Sequence, residues 1–440
     1  MPSRFDVFIA GGFPTHTYVH RRFTDPVSKR MRDPENEITE AFNRPGMIVQ
    51  VSGPSKSGKT VALHRMIPEA QFVKVPGSSL YSEESLWRIV SAKLEVRVDR
   101  KATTQTTMEK GTEVEGEVGL ELGVVSLGGK IGGSGKTSQE RSFEHAIEDD
   151  LFGAATDELL RKGRFLFIDD FHTIPSTMKR YVAAQLKAAA EKNVKIVLAE
   201  VPHMADDPIA NLPDLSGRIE RIEFSYRSAE DLVSIAMKGF EKLNVIINES
   251  ALLAIADESA GSPQLMQRLC LDLCKELEIS EARPAPERFQ VRLDQLNAVF
   301  GTTIRSVDYS ASIYLLENTP KPAAPRVFRA KGEGTLTMNE LAVATLSLSP
   351  PKINIPFVAQ RDSLEERAAR LVADDKGPDR ELLAETFSQM TEVAQNKSFK
   401  IPTLDFKPHR GVTILDPYFL YSLRWSGRYY DLRMIVDQSR

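Results

Sequence analysis

The sequence predicts an α/β fold: a parallel sheet covered on both faces by helices, then a helical stretch and a third, mixed region. Three observations predict it. Short apolar runs at 47–51 (MIVQV), 71–75 (QFVKV), 165–169 (FLFID), 195–199 (KIVLA) and 219–224 (IERIEF) alternate with longer helical patterns. Strands joined through helices run parallel and bury both faces. The first run opens directly into a glycine-rich turn ahead of a helix, and the third ends in Asp169 and Asp170.

The elements follow in order. Residues 1–44 read as an extended segment followed by a charged helix at DPENEITEAF. Helices are expected at 60–67 and 82–94, flanking the second strand. Residues 99–142 are rich in Thr, Gly and Glu, and EVEGEVGLELGVVSLGGKI alternates as a half-buried hairpin does. They read as an insertion, mobile or ordered by a partner. Alternation resumes with helix 144–161, strand 165–169, helix 177–192 and strand 195–199. A loop rich in Pro and Asp then leads to strand 219–224. From 228 the chain turns helical. Ser228 with Asp231 resembles a capping box, and Ser262–Pro263 fits an N-cap and first-turn proline for helix 263–278. Beyond about residue 300, helices are expected at 337–347, 363–373 and 380–395, a strand pair at 399–404 and 411–415, and then DPYFLYSLRW. The resulting division is 1–44, 45–226, 227–299 and 300–440.

The totals bound the function. A chain of 440 residues exceeds one ordinary core, and 41% hydrophobic with 27% charged residues is globular composition. A formal net charge of −4 excludes a whole-molecule basic field, leaving only local basic patches for nucleic acid. No apolar run reaches the ~18 residues a membrane span needs, and the N-terminal run is too short for a signal peptide. The two cysteines, Cys270 and Cys274, share a helix face without further ligands nearby. They read as small buried hydrophobes in a reducing, cytoplasmic setting.

GPSKSGKT at 53–60 fits G-x-x-x-x-G-K-[ST] at every fixed position. Gly53 and Gly58 let the backbone wrap around Pro54 so that the N–H groups of Ser55, Lys56, Ser57 and their neighbours face phosphate oxygens. Proline itself contributes no N–H. Lys59 supplies a compact charge for the β- and γ-phosphates, Thr60 a hydroxyl for magnesium, and Val61 continues the helix whose dipole faces the anion. GGSGKT at 132–137 lacks the glycine five positions before Gly135, where Lys130 stands, and reads as a glycine tract. The aspartates belong at the C-terminal end of a buried strand, where open α/β sheets bind ligands. Asp169 is the candidate for magnesium. Asp170 is the candidate for orienting or deprotonating water, with turn capping as the plain alternative. Glu200 and His203 follow the fourth strand and are candidates for sensing the γ-phosphate. Arg218 and Arg221 flank the start of the fifth, where an arginine either reaches a neighbouring subunit's γ-phosphate or is surface charge.

The motifs YVHR, GPSKSGKT, FLFIDDFH, SGRIERIEF and AGSPQLMQRL together resemble the AAA+ and STAND branches of P-loop ATPases, especially those carrying a C-terminal winged helix. The resemblance spans roughly residues 15–280. It implies sheet order 5-1-4-3-2 and ATP hydrolysis with Mg2+ as cofactor; many related enzymes place Glu where Asp170 stands, and the shorter Asp points to slow hydrolysis or a switch-like role. Val19 and Arg21 would lie near adenine, and Gly261 to Pro263 would close over the nucleotide from a helical lid, with Arg268 a further sensor candidate. It also implies a homo-oligomer or partner protein, and a setting in bacterial defence or signalling. The long insertion departs from the minimal core. The C-terminal region leaves DNA open: helix 380–395 carries Glu381, Glu385 and Glu392, which repel phosphate, whereas Lys397, Lys400, Lys407, His409 and Arg410 are basic. The second reading is therefore a DNA-binding initiator or mobile-element ATPase. Trp425 with Phe419, Leu420 and Leu423 reads as packing.

Overall fold

A computed structural model describes residues 1–24, 29–96, 151–200, 215, 217–308, 310–321, 326–358, 361–373, 377–395 and 403–438. The expectations for the 99–142 insertion, the glycine tract at 132–137, His203, Lys397 and Lys400 lie outside the described residues.

Helix α1 (Arg4–Val7) and a small antiparallel pair, β1 (Phe23–Thr24) with β2 (Met31–Arg32), precede helix α2 (Pro34–Phe42). Asp33 caps α2 by accepting from Asn36 N, and Pro34 takes the first turn, where its missing N–H costs nothing. The central sheet holds β3 (Ile48–Ser52), β4 (Phe72–Pro76), β5 (Phe165–Asp169), β6 (Ile196–Glu200) and β7 (Ile219–Glu223). Its order is β4-β5-β6-β3-β7 with every pairing parallel. Counted as core strands one to five this is 5-1-4-3-2, the order the resemblance implies.

Alternation along each strand sorts the core into two layers. Val49, Val51, Phe167, Val197 and Ile222 face α2 and helix α3 (Lys59–Met66). Val73, Val75, Leu166, Ile168 and Leu198 face helix α4 (Ser85–Leu94), helical residues 151–161 (α5) and helix α6 (Ser176–Glu191). Each such side chain, fully removed from water, contributes about 1.5–3 kcal/mol before entropy is counted.

Four helices follow: α7 (Ala229–Lys242), α8 (Glu249–Glu258), α9 (Pro263–Glu276) and α10 (Leu293–Thr303). Ser228 accepts from Asp231 N, one half of the expected box, and Ser262 accepts from Leu265 N with Pro263 in the first turn, as expected. Cys270 and Cys274 are free thiols buried in this helical core. A parallel pair, β8 (Val245–Ile247) with β9 (Glu287–Phe289), also belongs here; three residues each is too short for a periodic signal.

The last region contains helix α11 (Ser310–Asn318), the hairpin β10 (Val327–Arg329) and β11 (Thr335–Thr337), and helix α12 (Met338–Ser347). Strand β12 (Asn354–Ile355), helices α13 (Leu364–Leu371) and α14 (Arg380–Ala394), and strands β13 (Leu404–Lys407) and β14 (Gly411–Ile414) follow. They form an antiparallel sheet of order β12-β14-β13. The strand expected at 399–404 lies mostly outside the described residues; within them β13 begins at Leu404, with Leu404 and Phe406 in the core. Helices α15 (Pro417–Trp425) and α16 (Gly427–Gln438) close the chain. Helix α15 reaches back to α8. Arg424 donates from Nε and Nη2 to Glu258 at 2.9 and 2.6 Å, and Trp425 Nε1 donates to the same carboxylate at 2.7 Å. Trp425 is packed, 4.7 Å from the Phe300 ring, as the sequence suggests.

Candidate phosphate-binding site

The turn after β3 is shaped by two glycines. A Cβ on Gly53 would lie 2.1 Å from the Phe224 carbonyl oxygen, so only hydrogen fits, and Gly53 N donates to Glu200 O at 3.2 Å. Gly58 caps α3 at φ 94°, a left-handed conformation that glycine adopts without a Cβ penalty. Lys59 folds back across the loop. Its Nζ donates to Gly53 O at 2.6 Å and Pro54 O at 2.7 Å. Burial pushes the ammonium down to about 8, while Asp170 and then Asp169 act in the opposite direction. Ser57 is 2% exposed and its Oγ has no hydrogen-bond partner. A cradle with an orphaned buried hydroxyl and a lysine resting on its own carbonyls suits an anion that is tightly bound and bears several oxygens.

At the end of β5, Asp169 Oδ2 accepts from Lys74 Nζ at 2.6 Å, and Asp169 Oδ1 accepts from Asp170 N at 3.1 Å. Lys74, on the neighbouring strand, had no motif to flag it. The Asp170 carboxyl is shifted upward, first by desolvation and then by Asp169 beside it. Asp170 takes φ 52°, and a Cβ on Gly77 would lie 2.4 Å from its carbonyl oxygen, so the turn is held from the adjacent strand's end. Among the described residues no group of three or more His, Cys, Asp or Glu side chains converges. A magnesium ion would therefore rest on Thr60, Asp169 and oxygens of the nucleotide, the sparse protein ligation usual for this ion.

A cavity of about 360 Å³ adjoins the loop. One wall is Lys56 to Val61, including half-buried Thr60. A second is Ile9–Pro14 with Thr17–Val19, and a third comes from Arg227, Ile235, Pro263 and Gln267. Val19 and Pro263 thus line the same cavity as the loop. The Ile9–Pro14 wall was missed: it has no periodicity, and it is positioned by a distant bond from Ile9 N to Gln267 Oε1 at 2.8 Å.

Other candidates lie elsewhere. Arg21 does not line this cavity; with Gly53 and Pro54 it lines a separate groove of about 980 Å³. It is 1% exposed, and its Nη2 donates to Ser225 O, to Ser225 Oγ at 3.0 Å and to Tyr226 O at 3.2 Å. Burial lowers it to about 10. Its role here is to tie the N-terminal segment to the chain after β7. Ser55 is half-buried in the loop. Glu200 ends β6 inside the sheet, accepting from Gln50 Nε2 at 3.0 Å. Arg268 is engaged by Asp272 at 2.9 Å on its own helix. Arg218 accepts at its carbonyl from Ile48 N at 2.7 Å, at the N-terminal edge of the sheet, and its Nη2 pairs with Glu191 at 3.0 Å. Strand length puts it about 16 Å from its own phosphate loop. Arg221 is exposed on β7.

A parallel sheet in this order, with the glycine loop after its first core strand and paired carboxylates ending its third, defines a P-loop nucleoside-triphosphate-binding fold. The chain is 24% identical over 180 residues to the Holliday junction branch migration complex subunit RuvB of Neorickettsia sennetsu; the match covers 36% of this chain and 52% of that protein, about half its length. The solved Holliday junction branch migration motor RuvB of Thermotoga maritima is 14% identical, covering 64% of this chain and 73% of its own, with a TM-score of 0.37. A Walker-type ATPase of Pyrococcus abyssi is 12% identical, covering 93% of this chain and 99% of its own, with a TM-score of 0.45. No protein-family model matches the chain.

Proposed function

We propose that this chain is an ATP-binding and ATP-hydrolysing switch. The observation that carries the reading is the poised loop: Lys59 resting on Gly53 O and Pro54 O beside the unpartnered Ser57 hydroxyl. Both groups exchange these arrangements for phosphate oxygens. Thr60 and Asp169 are the residues that would hold magnesium, which when bound would offset charge on the phosphates. Lys74 pairs with Asp169 here. Asp170, with its carboxyl shifted upward, orients the attacking water and accepts its proton. The nucleoside half occupies the cavity beside Val19, with Pro263 closing from the lid. Arg218 serves a neighbouring copy in a homo-oligomer, because it is remote from its own loop.

Distinct hydrophobic clusters for the sheet, for the helices of 227–299 and for most of 300–440 support the later divisions, whereas among the described residues 1–44 has no core of its own: Val7 and Phe8 pack with the helices and Ile38 and Ala41 with the sheet. The order α12, β12, α13, α14, β13, β14 supports a winged helix. A regulatory setting such as bacterial defence or signalling is consistent with a switch of this kind. Calorimetry tests the core: Lys59→Ala abolishes tight binding of ATP with Mg2+, and parent-like affinity in that variant refutes the reading.

A DNA-binding ATPase is the second reading, favoured by His409 and Arg410 exposed at the β13–β14 turn. Against it, Glu381, Glu385 and Glu392 are exposed on α14. Gel shifts across salt, with and without ATP, decide: binding that weakens steeply with salt supports it, and absent binding removes it.

A further inference from the structure

Arg227 is a residue that no motif marks. It stands between β7 and α7, where the chain leaves the sheet for the helical lid. Its backbone N–H donates to Gly261 O at 3.0 Å, and its Nη2 donates to Val19 O at 2.9 Å. One residue therefore touches the lid turn and the N-terminal wall of the cavity while belonging to the end of the sheet. The turn packs closely beside it. Gly261 adopts φ 78°, and a Cβ there would lie 2.5 Å from Tyr226 Cβ.

The side chain is 7% exposed and lines the cavity. Its Nε and Nη1 have no hydrogen-bond partner. The nearest opposite charge is Asp231, 3.7 Å from Nη1 and beyond hydrogen-bond distance. A buried guanidinium edge with two unanswered donors is costly unless something entering the cavity supplies acceptors. Its hydrogen bonds run to Val19 and Gly261, and among the described residues none runs to the phosphate loop.

We infer that Arg227 contacts the nucleoside half of the nucleotide. Its Nε–H and Nη1–H donate to ring nitrogens or ribose oxygens, and nucleotide occupancy thereby ties the lid turn to the N-terminal wall. This inference rests on the nucleotide-site reading above and names a residue that selects for a nucleoside.

Calorimetry on the full chain with Mg2+ tests it, using ATP, ADP and inorganic tripolyphosphate. Arg227→Gln is expected to weaken ATP and ADP alike, by about tenfold, and to leave tripolyphosphate as in the parent. Arg227→Lys keeps a charge but not the second donor edge, and it is expected to behave the same way. It carries the test if the glutamine variant melts early. Equal weakening of tripolyphosphate overturns the inference in favour of a phosphate contact. Unchanged ATP and ADP affinities overturn it in favour of a purely structural arginine. Failure of the underlying site shows separately, as ATP binding that survives Lys59→Ala.

Discussion

Gly53 shows how little tolerance the loop has. An alanine there drives its methyl into the Phe224 carbonyl, 2.1 Å away, and backbone cannot swing aside as a side chain does. Gly53→Ala is expected to cost about 1–3 kcal/mol, read by urea denaturation, and to weaken ATP binding with it. Asp170→Asn keeps the shape and removes the proton acceptor; phosphate release is expected to fall about 10²–10⁴-fold with ATP affinity retained, and equal release removes Asp170 from the chemistry. His20 illustrates charge set by geometry. Its Nε2 is 2.9 Å from Asp33 and its Nδ1 2.8 Å from Glu35. A neutral imidazole has one N–H, so only the imidazolium serves both. The hydrogen bond to Asp33 leads in raising it above its ordinary 6.5; Arg22 shares Asp33 at 3.2 Å. Its stabilisation is fully present below 6.5 and lost as pH rises through the raised value. Melting curves across that window are expected to show this loss in the parent and to flatten in His20→Gln.

Among elements, α15 fastens the last region to helix α8. The Glu258 carboxylate accepts from Arg424 and Trp425 in a fully packed setting. Replacing one partner strands the other charge in low dielectric. Glu258→Ala is expected to lose about 3–5 kcal/mol in urea denaturation, and a loss under 1 kcal/mol contradicts that account. Helix α14 shows the reverse economy. Leu383, Phe387 and Met390 are buried while its glutamates face outward, so its open face is acidic.

Across the whole molecule, Lys56 connects the phosphate loop to the last region. Its Nζ lies 2.9 Å from Asp416 Oδ1 and 4.1 Å from the Tyr418 ring centre. The pair is partly exposed, at 27% and 19% for the two side chains, so it is worth no more than about 1 kcal/mol. Such a contact biases the domain arrangement and does not hold it. That task falls to Tyr421 and Trp425, which sit in the core formed by helices α7–α10. Asp416→Asn frees Lys56 for phosphate and is expected to raise ATP affinity, by less than about fivefold; a larger change, or a decrease, measured by calorimetry, contradicts this ranking.

The sheet, the phosphate loop, the carboxylate pair and the Ser228 and Ser262 caps were legible in the sequence, because each depends on neighbours a few positions away: strand alternation, a glycine conformation, a side chain accepting from the next turn. Only the tertiary structure placed Arg21 away from the cavity, set Lys74 on Asp169, and built a wall from Ile9–Pro14. Those outcomes come from segments far apart in the chain, as with Ile9 and Gln267, separated by 258 positions. Their meeting is decided by which faces pack together, and no local pattern encodes that.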